Sequence, residues 1–117
     1  MTTAINNVTF KAGDTFTYDV QYLNSEGVGI DMTGMSVLMQ VREVATSAVI
    51  EETATGGIVV AASGEMTFVL SKTQTQNLLP IAEASKTVVY DIQVTFVDTT
   101  VFTIVEGTMT ISQSVSR

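Results

Sequence analysis

The chain is expected to fold as an all-β, antiparallel two-sheet sandwich or small barrel. Three observations predict this: apolar residues alternate with polar ones at a period of two, turn-forming clusters punctuate the chain at short intervals, and a single segment breaks that rhythm. At 117 residues and 12.5 kDa the chain fits one domain, 1–117. A domain of this size buries roughly two thirds of its unfolded surface, enough for one core.

The elements follow in order. In "DTFTYDVQYL" Phe16, Tyr18, Val20 and Tyr22 share one face, with Thr15, Thr17, Asp19 and Gln21 opposite. "MSVLMQVRE" places Val37, Met39 and Val41 together. "AVIEE" and "GIVV" read as short strands, and "GEMTFVL" aligns Met66, Phe68 and Leu70. "TVVYDIQVTF" aligns Val88, Tyr90, Ile92, Val94 and Phe96 against Asp91, Gln93 and Thr95, and "VFTIVE" and "GTMTIS" follow as two further strands. Such half-buried strands turn one face to the core and one to water or a partner. The clusters "KAGD", "NSEG", "DMTG", "TGG", "ASG" and "VDTT" supply the turns. The exception is "SKTQTQNLLP", where Ser71 and Gln74 have capping-box spacing and Pro80 bars a long continuation. A short helix near 72–79 is expected, with Leu78 or Leu79 plugging the open end of the sandwich. "IAEASK" reads as a surface loop.

Composition excludes several functions. Five basic residues, Lys11, Arg42, Lys72, Lys86 and Arg117, are scattered against a net charge of −7, so no stripe exists to neutralise phosphates or an anionic membrane. The expectation is therefore no nucleic acid and no membrane. The chain has no Cys and no His, which removes disulfides, thiolate nucleophiles and the Ser/His/Asp triad. No apolar run approaches the ~18 residues of a membrane span, and the start "MTTAINNVTFKAGD" lacks a signal-peptide pattern.

The remaining chemical candidates each have a plainer reading. Ser71 with Lys72, and Ser85 with Lys86, are adjacent pairs whose side chains diverge, with no oxyanion loop nearby. Glu51 and Glu52 are neighbours, so on a strand they face opposite sides. Asp14, Asp31 and Asp98 sit in turns without the alternating acidic loop that holds calcium, and Asx-turn duty is the expected role. Tyr18, Tyr22 and Tyr90 could form a carbohydrate platform, but all lie on the apolar phase, so core packing with hydroxyls reaching the rim is expected. The glycines of "TGG" and "EGVG" read as turn glycines rather than a phosphate cradle. The expectation is no catalytic residue, no metal and no cofactor.

The outward positions are unusual for a lone β-protein. Thr contributes 19 residues, and the outward sides of the long strands carry Thr, Gln and Ser rather than Lys and Glu. The last segment "TMTISQSV" has neither charge nor proline before Arg117. Isolated β-proteins guard their edges with such residues, so this surface suits protein contact by edge pairing or flat packing.

Four stretches, "AGDTF", "IDMTGMSVLMQVRE", "YDIQVTF" and "EGTMTISQSVSR", are similar to a group of small tailed-bacteriophage virion proteins. The group opens on Gly-Asp-Thr-Phe, matched by Gly13, Asp14 and Phe16. Its Asp-Leu-Thr-Gly turn is matched by Asp31, Thr33 and Gly34, and the strand after it by Met39, Gln40 and Arg42. Tyr90, Asp91 and Gln93 match a late strand, and Gly107, Thr108 and Arg117 the ending. Met32, Ser116, the turn "VDTTV" and the long loop "LLPIAEASKT" depart from the pattern. Residue by residue, Asp31 is expected to cap an Asx-turn with Gly34 at positive φ, and Arg42 to pair with Asp19 or Asp91.

The chain resembles the N-terminal domain of phage upper baseplate proteins. That resemblance implies an immunoglobulin-like sandwich, for which the alternating segments supply about 8–9 strands, and a non-enzymatic structural part of a tailed-phage virion. The expected role is a tail or baseplate adaptor linking a hub to peripheral fibres. It would occur in multiple copies around a symmetry axis, with other virion proteins as partners, made in the host cytoplasm and located in the virion. A head-associated protein, as capsid decoration or neck, is the alternative. A small protein- or carbohydrate-binding module is the second.

Overall fold

A computed structural model describes residues 4–43, 52–79 and 83–113. Most of "AVIEE", Pro80, the start of "IAEASK" and the ending at Arg117 lie outside these residues. Nine strands are described: β1 Ala4–Ile5, β2 Val8–Lys11, β3 Phe16–Gln21, β4 Ser36–Arg42, β5 Glu52–Thr53, β6 Thr55–Val60, β7 Glu65–Leu70, β8 Ser85–Thr95 and β9 Val101–Ser112. A 3-10 turn, Ala61–Ser63, precedes β7, and one helix, α1 Lys72–Leu78, follows it.

The strands form two sheets. The larger has the order β1-β9-β8-β4-β5 with β2 also on β9, and the smaller has the order β3-β7-β6. The chain is thus the all-β sandwich expected, and its division into a β4-β8-β9 sheet and a β3-β7-β6 sheet follows the immunoglobulin-like arrangement. Alternation decides which faces meet. Val88, Tyr90, Ile92 and Val94 of β8 are buried, as are Met39 and Val41 of β4 and Met66, Phe68 and Leu70 of β7. These side chains fill the space between the sheets, where Met109 and Ile111 of β9 join them.

Three features were not legible in the alternation. "VFTIVE" and "GTMTIS" form one continuous strand, because an extra residue in β9 restores the phase: Ile92 pairs with Val105 but Gln93 with Thr103. The bulge lets Ile104 and Val105, adjacent in sequence, both be buried. Second, β1 and β2 were not anticipated, and they pair with β9 in parallel, Ala4 with Val105 and Val8 with Met109, in an otherwise antiparallel sandwich. Third, the break between β1 and β2 falls at Asn6 and Asn7, where the Asn6 carbonyl passes over Gly107 so closely that a Cβ there would lie 1.9 Å from it. Only glycine admits that approach.

The helix forms as its sequence predicts. Ser71 Oγ accepts from the Gln74 N–H at 3.2 Å while Gln74 Oε1 accepts from the Ser71 N–H at 2.9 Å. Leu78 and Leu79 are both buried against the core. Thr75, the buried polar residue of the core, bolts the helix to the turn before β3: its hydroxyl donates toward the Asp14 carbonyl at 2.9 Å and accepts from the Gly13 N–H at 3.0 Å.

Candidate functional site

A groove of about 590 Å³ lies on the outward face of the larger sheet. Pairing register builds it. Thr53, Gln40, Asp91, Glu106 and Ile5 stand in one row across β5, β4, β8, β9 and β1. Neighbouring strands lie about 4.8 Å apart, so the side chains of the row form a ladder of that spacing. A second row brings Arg42, Val89 and Thr108 together, and Gln93 flanks the first row on the other side.

Two carboxylates therefore face each other directly, Asp91 on β8 and Glu106 on β9. Asp91 is partly buried in the groove, and that burial pushes its carboxyl above the ordinary aspartate range. The Arg42 guanidinium pulls it down and Glu106 pushes it up further, both more weakly than burial. Arg42 also donates to Gln40 Oε1 at 3.4 Å, a long contact, and Asn7 Oδ1 accepts from the Thr108 N–H at 3.1 Å.

The residues singled out in the sequence are dispersed by the fold. Ser71 is the helix cap, and Lys86 Nζ lies 3.7 Å from Glu43 Oε1 in a surface pair of little energetic weight, Lys86 half-buried and Glu43 exposed. Asp31 Oδ1 accepts from the Thr33 N–H at 2.9 Å and its hydroxyl at 2.6 Å, with Gly34 at φ +81°, the Asx-turn expected. Asp98 Oδ1 accepts from the Thr100 N–H at 3.0 Å in the β8–β9 hairpin. The side chains of Thr33 and Thr100, and after them the backbone N–H groups of the same residues, hold these carboxyls below their usual range. Among the described residues no three acidic side chains gather as metal ligands would. Glu51 lies outside the described residues.

Tyr22 and Tyr90 are buried and Tyr18 half-buried, so they form no exposed platform. Their packing is specific: Phe10 stacks on Phe16 at 4.6 Å, and Tyr18 meets Tyr90 edge-on at 5.8 Å. Of the two acids expected near Arg42, Asp91 is the neighbour. Asp19 belongs to the other sheet, where it accepts from the Thr67 hydroxyl at 2.8 Å. The Asp91–Glu106 pair was not found from the sequence. The two acids lie on consecutive strands, and their meeting depends on a register that the β9 bulge sets.

No family model matches the chain, and no curated protein matches it. Among solved structures, a family 123 glycoside hydrolase from Clostridium perfringens is similar, with TM-score 0.40 and 10% identity over 97% of this chain and 24% of that chain. That neighbour is an enzyme, and the expectation that this chain is not one is withdrawn on it. The expectation had excluded His- and Cys-dependent sites and carboxylates adjacent in sequence, without weighing acids that strand pairing brings together. At this TM-score the likeness assigns the chain neither an activity nor a substrate.

Proposed function

We propose that the chain is a structural component of a tailed-phage virion, an adaptor of the tail or baseplate that links a hub to peripheral fibres. The motifs from "AGDTF" to "EGTMTISQSVSR" suggest the virion class. The observation that carries the assembly role is the state of the smaller sheet's two outer strands.

Nothing among the described residues pairs with the outer side of β3 or β6. The Tyr22 N–H donates to the Gly64 carbonyl at 2.8 Å, so by alternation the even-numbered residues of β3 bond inward to β7. Thr17, Asp19 and Gln21 then direct backbone groups to the open edge, with one acid as their only charge. β6 carries no charge and no proline, and exposes Val59 and Val60. A bulge between Ile58 and Val60 is its guard. Edges of this kind suit strand addition by neighbouring virion proteins or by further copies of the chain around a symmetry axis.

Antibody labelling of virions of the phage that encodes the chain, viewed by electron microscopy, tests the proposal. Label at the tail end is expected. Label over the head would replace the adaptor reading with capsid decoration or neck, and unlabelled virions would overturn both.

A further inference from the structure

The geometry points to the groove on the larger sheet as a binding site for a neutral saccharide. The inference rests on the groove alone and is independent of where in a virion the chain stands. Its volume, about 590 Å³, falls within the roughly 300–1,000 Å³ of small-molecule sites. Its polar groups, Gln40, Arg42, Asp91, Gln93 and Glu106, are fixed on the central strands of a five-strand ladder, positions that hold side chains more firmly than loops do.

The mixture of groups selects the ligand class. An anion entering the groove meets two opposed carboxylates, and a small cation meets the Arg42 guanidinium. A ligand rich in hydroxyls suits both, because each hydroxyl donates to a carboxylate oxygen and accepts from a guanidinium or amide N–H. The groups recur at about 4.8 Å across the strands, so one ligand can engage several at once. Partial burial of Asp91 keeps water from competing fully for those bonds. Val89 and the exposed Ile5 at the rim supply apolar surface for the C–H faces of sugar rings, a role that aromatic residues fill elsewhere.

The test is a two-dimensional NMR titration of the full isotope-labelled chain with neutral trisaccharides of glucose, galactose and N-acetylglucosamine. At least one is expected to give saturable shifts, with Kd on the order of 1 mM, confined to the Gln40–Asp91–Glu106 row and its neighbours. Asp91→Ala and Gln93→Ala should each weaken that binding at least about tenfold while leaving the spectrum dispersed, and Thr17→Ala on the other sheet should leave it unchanged. An arginine-containing peptide is titrated in parallel. Shifts in the groove with the peptide alone, or saturable saccharide shifts elsewhere on the chain, would overturn the inference, as would no saturable saccharide shift.

Discussion

Tyr90 donates its phenolic hydrogen to the Asn6 carbonyl at 2.6 Å, tying the centre of β8 to the break in the N-terminal strand. That bond orients a ring of hydroxyls. With its hydrogen committed to Asn6, Tyr90 must accept from the Tyr18 hydroxyl at 3.1 Å, and Tyr18 in turn accepts from Asn6 Nδ2 at 2.5 Å. The circuit begins and ends on Asn6 and joins the two sheets at the break between β1 and β2. Burial is the largest cause that raises the Tyr90 pKa, and the bond to Tyr18 adds to it, so the phenol stays a neutral donor through the physiological range.

Tyr90→Phe should therefore cost about 1–3 kcal/mol, since it leaves the Asn6 carbonyl and the Tyr18 hydroxyl without their partner in a partly dry site. Tyr18→Phe should cost less, because the bond from Tyr90 to Asn6 survives it. Urea denaturation of both single variants and the double variant measures this. A double-variant cost equal to the sum of the single costs would refute the coupling.

Gly107→Ala tests the close approach of the N-terminal strand. A methyl group there cannot coexist with the Asn6 carbonyl, so the break between β1 and β2 must lift from β9. A destabilisation of roughly 2–4 kcal/mol is expected, at the upper end for a single substitution. Hydrogen exchange should show the Asn6 amide, which donates to the Glu106 carbonyl at 2.9 Å, losing protection before the β8 amides do.

These two sites mark the boundary of what the sequence could convey. The core face of β3, β4, β7 and β8 was readable because the side-chain period of a strand is fixed at two, and the helix because Ser71 and Gln74 carry their own local bonds. The parallel strands β1 and β2 were not, since Ala4–Ile5 is too short to show a period and its partner, Val105–Glu106, lies at the other end of the chain. The groove was hidden for a related reason. Asp91 and Glu106 each sit on the outward phase of a strand, and only the bulge at Ile104 decides that they stand opposite one another.

Asp91 should make stability depend on pH in a direction opposite to that of most acids. Its carboxyl is raised first by desolvation, so the folded chain binds that proton more tightly than the unfolded chain. Stability from this group is fully present below the ordinary aspartate value and is lost as pH rises through the raised value. The lowered carboxyls Asp31 and Asp98 act in the opposite sense and below the ordinary value, and their full exposure makes their effect small. Asp91→Asn should flatten the slope in the window above the ordinary aspartate value and raise stability at neutral pH. Urea midpoints of the two proteins across that window read it out, and parallel curves would rule out the assignment.

Thr75 offers a last test, of the joint between the helix and the turn that starts β3. Its hydroxyl lies within hydrogen-bond distance of the Gly13 N–H, the Asp14 carbonyl and the Lys72 carbonyl, and the residue is fully buried. Thr75→Val keeps the shape of the side chain and removes every one of these bonds, taking from the part-buried Gly13 N–H its Thr75 partner. A loss of about 1–3 kcal/mol is expected. Thr75→Ser, which restores the hydroxyl at the cost of one methyl group, should recover most of the hydrogen-bond term and retain a deficit of about 1 kcal/mol from the missing methyl. Ser71→Ala, which removes the helix cap at an exposed site, should cost about 1 kcal/mol. Chemical denaturation of the three variants checks the order, and a Val variant as stable as the parent would show that packing alone holds the helix in place.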